Sequence, residues 1–453
     1  MKSLYIISAS FLTLLSCKEV GQKTAVNDTN TPLHLMQPDY PTPYGAPSDS
    51  AVMATLERVH GYLETHTPYG FVNSKTDEEL TDYNQIDENT QLKKGDFRLV
   101  SYEWGVTYAA MLRATQTTGD ERFKKYATER LGFIADAAPY FSKLKVKKGA
   151  EWGVKGPFTG LIDPHALDDC GAMCTAMLKA KAEGSKAPFD DLIAIHIDYI
   201  MNKEHRLADG NLARNRPQPN SVWLDDVFMG LPALAQMGKA TGEQKYYDEA
   251  TRQMLLFKEK MWNSEKQLFM HGWVEGMSEH PQYHWGRANG WAILTLVEIL
   301  DVLPETHKNY GAIKTLLQQH LQGLAKLQDG TGFWHQLLDR NDTYLETSAT
   351  AIYTYCYAKA INRGWIDAAV YSPVAILGWN AVSTKVSDIG QVEGTCVGTG
   401  MGFDPAFYYF RPTSPYAAHG YGPVLFAGAE VIELLKTHTY EINDSSVQLL
   451  TKK

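Results

Sequence analysis

Two connectors of this chain repeat each other: Thr118-Gly119-Asp120-Glu121-Arg122-Phe123-Lys124-Lys125-Tyr126-Ala127 and Thr241-Gly242-Glu243-Gln244-Lys245-Tyr246-Tyr247-Asp248-Glu249-Ala250. Each closes one helix and opens the next, so the chain reads as stacked helical hairpins. From residue 51 onward the apolar period is helical and strand-like alternation is rare. The spacing predicts twelve helices, near 51–66, 99–117, 121–137, 165–182, 188–202, 221–238, 244–261, 287–303, 309–327, 346–362, 366–382 and 418–436.

These helices are of two kinds. The odd-numbered ones, such as 121–137 and 244–261, carry a charged face and an apolar stripe, as an outer layer should. The even-numbered ones open on motifs. The second opens near Arg98 with Tyr102-Glu103-Trp104-Gly105, and the fourth on Asp163-Pro164-His165-Ala166-Leu167-Asp168-Asp169-Cys170-Gly171. The sixth opens on Trp223-Leu224-Asp225-Asp226-Val227-Phe228-Met229, with Asn220 and Ser221 as expected N-caps. The eighth opens on His284-Trp285-Gly286-Arg287-Ala288-Asn289-Gly290-Trp291, the tenth on Leu345-Glu346-Thr347-Ser348, and the twelfth on His419-Gly420-Tyr421.

Twelve helices alternating inner and outer make an all-α (α/α)6 barrel, and the inner N-termini then converge on one mouth. Six helix ends give that mouth partial positive charge, suited to an anionic ligand. An open α-solenoid is the competing architecture, with the motifs strung along a concave surface.

The motifs carry chemistry at the mouth. Asp225 and Asp226 sit in a first turn, where acids also compensate the helix dipole. Asp168 and Asp169 mirror them on the neighbouring inner helix, and facing carboxylates are the usual equipment for breaking a glycosidic bond. Adjacent helical residues point about 100° apart, so one of each pair suffices. Trp285, Arg287, Asn289 and Trp291 combine stacking faces, a guanidinium fork and an amide, a set suited to a sugar acid. Trp223, Trp104, His284 and His271 are further candidate contacts, although each residue type is also ordinary packing or capping material. Arg214, Arg216 and Arg411 can pair with a sulfate or with the protein's own acids.

A net charge of -9 without a long basic run argues against nucleic acid as the partner. No HExxH or clustered Cys/His spacing is present, Asp329-Gly330-Thr331-Gly332 lacks the acidic spacing of a calcium loop, and no metal is expected. Gly394-Thr395-Cys396-Val397-Gly398-Thr399-Gly400 lacks the end of a phosphate loop and reads as a flexible pocket rim. Cys170 and Cys174 lie four apart on a helix and read as buried small residues, not a disulfide.

Residues 1–17 read as a signal sequence ending in Leu14-Leu15-Ser16-Cys17, which looks like a lipobox with Cys17 as the lipidated residue. Residues 18–50, rich in Thr, Asn and Pro, read as a tether, 51–440 as the catalytic domain and 441–453 as a tail. The expected location is the periplasm or cell surface, with the membrane engaged only through the lipid anchor; oligomeric state is left open.

The segments LDDCGAM, WLDDVFMGLP, HWGRANGW and ETSATAIYTY together resemble glycoside hydrolase family 105, the unsaturated rhamnogalacturonyl hydrolases, and the related unsaturated glucuronyl hydrolases of family 88. The likeness runs from about residue 50 to 436. It implies an (α/α)6 barrel that, without a cofactor, removes a terminal 4,5-unsaturated uronic acid from the anionic, rhamnose-containing oligosaccharides that lyases leave from pectin or ulvan. The implied mechanism is hydration of the C4=C5 enol ether. An aspartic acid protonates C4, water adds at C5, and the hemiketal opens and expels the leaving sugar. The implied acid falls on Asp225, with Asp226 as the alternative register, and the second aspartate on Asp168 or Asp169. Trp285, Arg287, Asn289 and Trp291 are the implied uronate contacts. Burial beside a second carboxylate would keep such an acid protonated near neutral pH. A saturated-sugar enzyme on the same fold and a non-catalytic glycan-binding protein are the competing readings.

Overall fold

The computed structural model describes residues 26–36, 38, 40–149, 156–444 and 446–452. Residues 1–17, including Cys17, lie outside the described residues. Among those described, twelve main helices run in chain order: α1 Asp49–His66, α2 Tyr102–Thr118, α3 Glu121–Lys148, α4 Gly171–Ala182, α5 Asp190–Asp198 and α6 Asp226–Thr241. They continue as α7 Gln244–Met261, α8 Gly286–Leu300, α9 Tyr310–Ala325, α10 Thr347–Asn362, α11 Ala368–Ser383 and α12 Tyr421–Thr437.

The even helices touch in the order α2, α4, α6, α8, α10, α12, and α12 packs back on α2. The ring is therefore closed, an (α/α)6 barrel and not a solenoid. Each outer helix lies on one inner helix: α3 on α2, α5 on α4, α7 on α6, α9 on α8, α11 on α10 and α1 on α12. Burial follows the two patterns in the sequence. Every residue of α8 is buried, whereas α7 buries a stripe through Tyr247, Ala250, Met254, Phe257 and Met261.

The repeated connectors do what their composition requires. Gly119 and Gly242 end their helices at φ 75° and 74°, the left-handed conformation that glycine adopts without a Cβ penalty. A different glycine closes the ring. A Cβ on Gly171 of α4 would stand 1.5 Å from the carbonyl oxygen of Met229 in α6.

Several helix starts differ from the sequence expectation. Ser221–Trp223 pairs antiparallel with Gly272–Val274, so α6 begins at Asp226 and Asp225 becomes its N-cap residue. Asn220 stands at φ 48° before that strand, and neither it nor Ser221 caps the helix. Leu167–Asp169 forms a separate 3-10 turn, delaying α4 to Gly171, and Ser101 caps α2 by accepting from the Trp104 amide. In the expected tail, His438–Ile442 and Val447–Thr451 form a hairpin, and Tyr44 Oη accepts the Val447 amide hydrogen at 2.6 Å. No helix among the described residues is long and apolar enough to cross a membrane.

Candidate active site

Polar contacts join the inner helix starts around the mouth. Tyr102 Oη lies 2.7 Å from His419 Nε2, linking α2 to the turn before α12. Arg214 bonds Asp168 before α4 and Asp226 at the start of α6, and Asp225 meets His271 Nε2 at 3.0 Å. Arg287 of α8 reaches Ser348 Oγ of α10 at 3.3 Å. A cavity of about 1010 Å³ opens here, with Tyr102, Glu103, Asp168, Asp169, Arg216 and His419 on its wall.

The two acidic doublets separate into distinct roles. Arg214 Nε lies 3.0 and 2.9 Å from the two oxygens of Asp226, and Nη2 lies 3.0 Å from Asp168 Oδ1. The side chain of Asp226 is 1% exposed, that of Asp225 14% and that of Asp168 33%. Asp168 lines the cavity and Asp225 keeps a small exposed area, while Asp226 is sealed behind its arginine. Asp169 accepts from the His165 amide at 2.9 Å and packs on Gly160, so it shapes the cavity wall.

Electrostatics divide the same carboxylates. Burial pushes Asp168 up, helped by Asp225 and Asp169 and opposed by Arg214. Burial likewise pushes Asp226 up, to about 6, against Arg214. Burial opposes ionisation of Asp225 as well, yet the His271 hydrogen bond and charge, with Arg214 and Arg287, hold it below the usual carboxylate value. The expectation that burial beside a second carboxylate keeps Asp225 protonated in the free protein is thus corrected, because His271, Arg214 and Arg287 together outweigh burial. On the opposite wall, burial raises Glu103 and, with Arg287, lowers His419 well below the usual imidazole value.

Several expected sugar contacts belong to the packing. Asn289 donates to the carbonyls of Phe269 and Trp285 and accepts from the Phe269 amide and His320, so its amide is fully used inside the protein. Trp104 is fully buried, bonded to Tyr126 Oη and stacked on Phe97. Trp291 stacks on Phe228 at 5.0 Å and meets Tyr102 edge-on, packing behind the cavity wall. His284 holds the Phe269 carbonyl, and Trp285 donates to Gln336 and covers His271. Arg287 donates to the carbonyls of Cys396 and Val397 at 2.7 and 2.8 Å, so it ties down the expected flexible rim. Trp223 is half-buried, with the Arg214 guanidinium 4.7 Å above its ring.

Of the three arginines weighed for sulfate, Arg214 is paired with acids and Arg411 donates to Gly398 O and Thr399. Arg216 lines the cavity with no ion pair or hydrogen bond to a described residue, and Arg98 does likewise. The sequence reading missed Tyr408, whose hydroxyl lies 2.7 Å from His271 Nδ1. Its one local signal is Asp404-Pro405, a cap and first-turn proline that open the short helix Pro405–Tyr409. The four described cysteines are buried and unpaired. Among the described residues no group of three or more His, Cys, Asp or Glu is arranged to hold a metal ion.

A closed ring of paired helices with carboxylates on both sides of a cavity at its mouth is the build of a carbohydrate-cleaving enzyme. The chain belongs to Glycosyl Hydrolase Family 88, whose profile matches residues 72–435. It is 27% identical over 245 residues to the unsaturated rhamnogalacturonyl hydrolase YesR of Bacillus subtilis, covering 53% of this chain and 69% of that protein. It is 29% identical over 215 residues to an unsaturated 3S-rhamnoglycuronyl hydrolase of an Alteromonas species, covering 46% of this chain and 51% of that protein. The matched region thus spans between half and about two thirds of the length of these curated relatives. The fold is shared with a crystal structure described as a possible member of the GH105 family from Salmonella enterica, with TM-score 0.66 and 24% identity over 90% of this chain and 99% of that one.

Proposed function

We propose that this glycoside hydrolase removes the terminal 4,5-unsaturated uronic acid from rhamnose-containing oligosaccharides produced by a polysaccharide lyase. The observation that carries the reading is the pair Asp225 and Asp168, both partly exposed and linked through Arg214 and Asp226 at a mouth ringed by helix N-termini. Asp225 delivers a proton to C4 of the enol ether. Water adds at C5 and gives up its proton to the carboxylate, with Asp168 holding that water. The hemiketal then opens and the leaving sugar departs.

An incoming uronate changes the proton balance in the required direction. Its carboxylate brings a like charge and expels water, and both raise the pKa of Asp225. His271, with Nε2 3.0 Å from Asp225, is placed to pass a proton to the carboxyl group. Arg98 and Arg216 support a substrate with a second negative group on the leaving sugar, which favours a sulfated, ulvan-type fragment over an unsulfated pectin fragment.

The decisive measurement is the ultraviolet absorbance of the conjugated enoate in a lyase digest. Loss of absorbance with sugar release, and no release from the saturated analogue, is the expected result. Release from the saturated analogue would favour a conventional glycosidase. Sulfated and unsulfated disaccharides compared on parent and Arg216→Ala test the finer reading: the variant should raise KM for the sulfated substrate alone. We further propose that the protein is exported and lipid-anchored, supported by Leu14-Leu15-Ser16-Cys17. Lipid on Cys17 detected by mass spectrometry, and its loss in Cys17→Ala, is the corresponding test.

A further inference from the structure

Behind Asp225 lies a buried chain of hydrogen bonds that the proposed reaction does not by itself explain. His271 is fully buried between Trp285, with ring centroids 4.7 Å apart, and Tyr408. Its Nε2 lies 3.0 Å from Asp225 Oδ2, and its Nδ1 lies 2.7 Å from Tyr408 Oη. The Tyr408 hydroxyl also accepts the Gly402 amide hydrogen at 2.9 Å and stands 3.3 Å from the Gly402 carbonyl oxygen. Tyr408 is itself fully buried, so water does not complete these bonds.

A tyrosine hydroxyl has one hydrogen to give and two lone pairs to accept with. It satisfies all three neighbours at once only if it donates to the Gly402 carbonyl and accepts from both the Gly402 amide and His271 Nδ1–H. If Nδ1 instead accepted from Tyr408, the Gly402 carbonyl would lose this donor. The arrangement therefore favours the tautomer with hydrogen on Nδ1, leaving Nε2 as the exchange site facing Asp225.

We propose that Tyr408 and His271 are positioning residues that keep the Asp225 acid loaded, by fixing His271 as the Nδ1–H tautomer so that Nε2 shuttles one proton to and from Asp225. The proposal rests on the reading of Asp225 as the proton donor. The relay starts from a proton on Nε2, placed between His271 and Asp225 across 3.0 Å. When the uronate binds, the Nε2–H bond breaks as the Asp225 O–H bond forms, and Nδ1–H stays on Tyr408. Asp225 then gives that proton to C4, and the water adding at C5 returns one proton to Asp225. It passes back to Nε2 when product leaves, so the enzyme is regenerated and no other reactant is needed. The ring held the other way, with Nε2–H on a neutral imidazole, would donate a hydrogen bond to Asp225 but have no proton to spare.

The charged groups facing Asp225 are Arg214 from the loop before α6, Arg287 from α8, Asp168 from the turn before α4 and Asp226 on α6, with Tyr102 of α2 within reach. Asp225 itself, then Tyr283 and Asp404, are the groups of this kind that act on Tyr408. All of them remain in a Tyr408→Phe variant, which removes one hydroxyl from a buried site.

The test is the pH profile of kcat/KM for the full-length enzyme and Tyr408→Phe on an unsaturated disaccharide, with the His271 tautomer read from imidazole nitrogen NMR shifts. The expected result is hydrogen on Nδ1 in the parent, whether or not Nε2 also carries one. In the variant kcat should fall about ten- to a hundredfold with the alkaline limb moved to lower pH and KM little changed. An Nε2–H tautomer in the parent overturns the proposal, as does a variant whose pH profile matches the parent. If Tyr408→Phe does not fold, the parent tautomer still decides. A parent inactive on every unsaturated disaccharide would sink the proposed function instead. Activity abolished by Asp225→Asn but with an unmoved Tyr408→Phe profile would sink only the relay.

Discussion

Arg214 grips Asp226 through both carboxylate oxygens, and its guanidinium lies over the indole of Trp223. An ion pair so enclosed adds little net stability while intact, but removing one partner leaves the other charge stranded. The doublet that looks symmetrical in sequence is therefore divided between a residue facing ligand and a residue holding the mouth together.

Asp225→Asn should lose at least about a thousandfold in kcat and keep its melting temperature, as expected for a proton donor. Asp226→Asn should retain more activity and lose about 3 kcal/mol in urea unfolding, because Arg214 then faces Asp168 alone. The opposite ranking of activities would assign the acid to Asp226.

Asn289 offers a sharper test of the WGRANGW segment. Its amide fastens the Phe269 strand and His320, so Asn289→Ala leaves several buried groups unsatisfied. Stability should drop by about 2–4 kcal/mol, while KM of the surviving folded enzyme stays within a factor of two. A large KM effect at unchanged stability would return Asn289 to the sugar.

Two buried histidines make the fold acid-labile. Burial lowers His320 to about 3 and His196 to about 4, although the Leu161 carbonyl supports the charged form of His196. Both stay neutral in the native state, whereas the unfolded chain protonates them near 6.5. Their contribution is complete above pH 6.5 and is lost as pH falls towards 4 and then 3. His320→Gln, which can still donate to Asn289, should reduce the slope of unfolding free energy between pH 6 and 4 by about 1.4 kcal/mol per pH unit.

Gly171→Ala drives a methyl group into the Met229 carbonyl and forces α4 away from α6. We expect a loss of at least about 3 kcal/mol despite the better helix propensity of alanine. Gly132 in the outer helix α3 is the control. Its Cβ would meet only Ala187 Cβ at 3.8 Å, and Gly132→Ala should stabilise by about 0.5–1 kcal/mol. Thermal unfolding of the two variants side by side reads both effects.

The helices were legible in the sequence because inner and outer positions demand different patterns: continuous burial in α8, a single stripe in α7. Their starts were less legible. The strand that delays α6 depends on pairing with Gly272–Val274, some fifty residues onward, and no local propensity records that partner. The same limit governs the site. Trp285, Arg287, Asn289 and Trp291 are the right residue types for a sugar, but three of their partners are backbone carbonyls of Phe269, Cys396 and Val397. Spacing gives a side chain's direction and not what waits there. The acidic doublets, by contrast, announced the mouth because buried carboxylates have few other reasons to cluster at helix starts.

The ring around this cavity is filled along its length: α8 is buried at every residue, and α10 and α12 nearly so. Among the described residues, the large cavity opens at the face bearing the inner N-termini. A cavity set in the mouth of a packed ring suits the end of a chain better than its interior. Each encounter then trims one terminal residue, and the detached sugar acid must back out along the path by which it came. Product and the next chain end therefore compete for the same doorway, which makes emptying the pocket a step that can limit turnover as much as the bond cleavage itself.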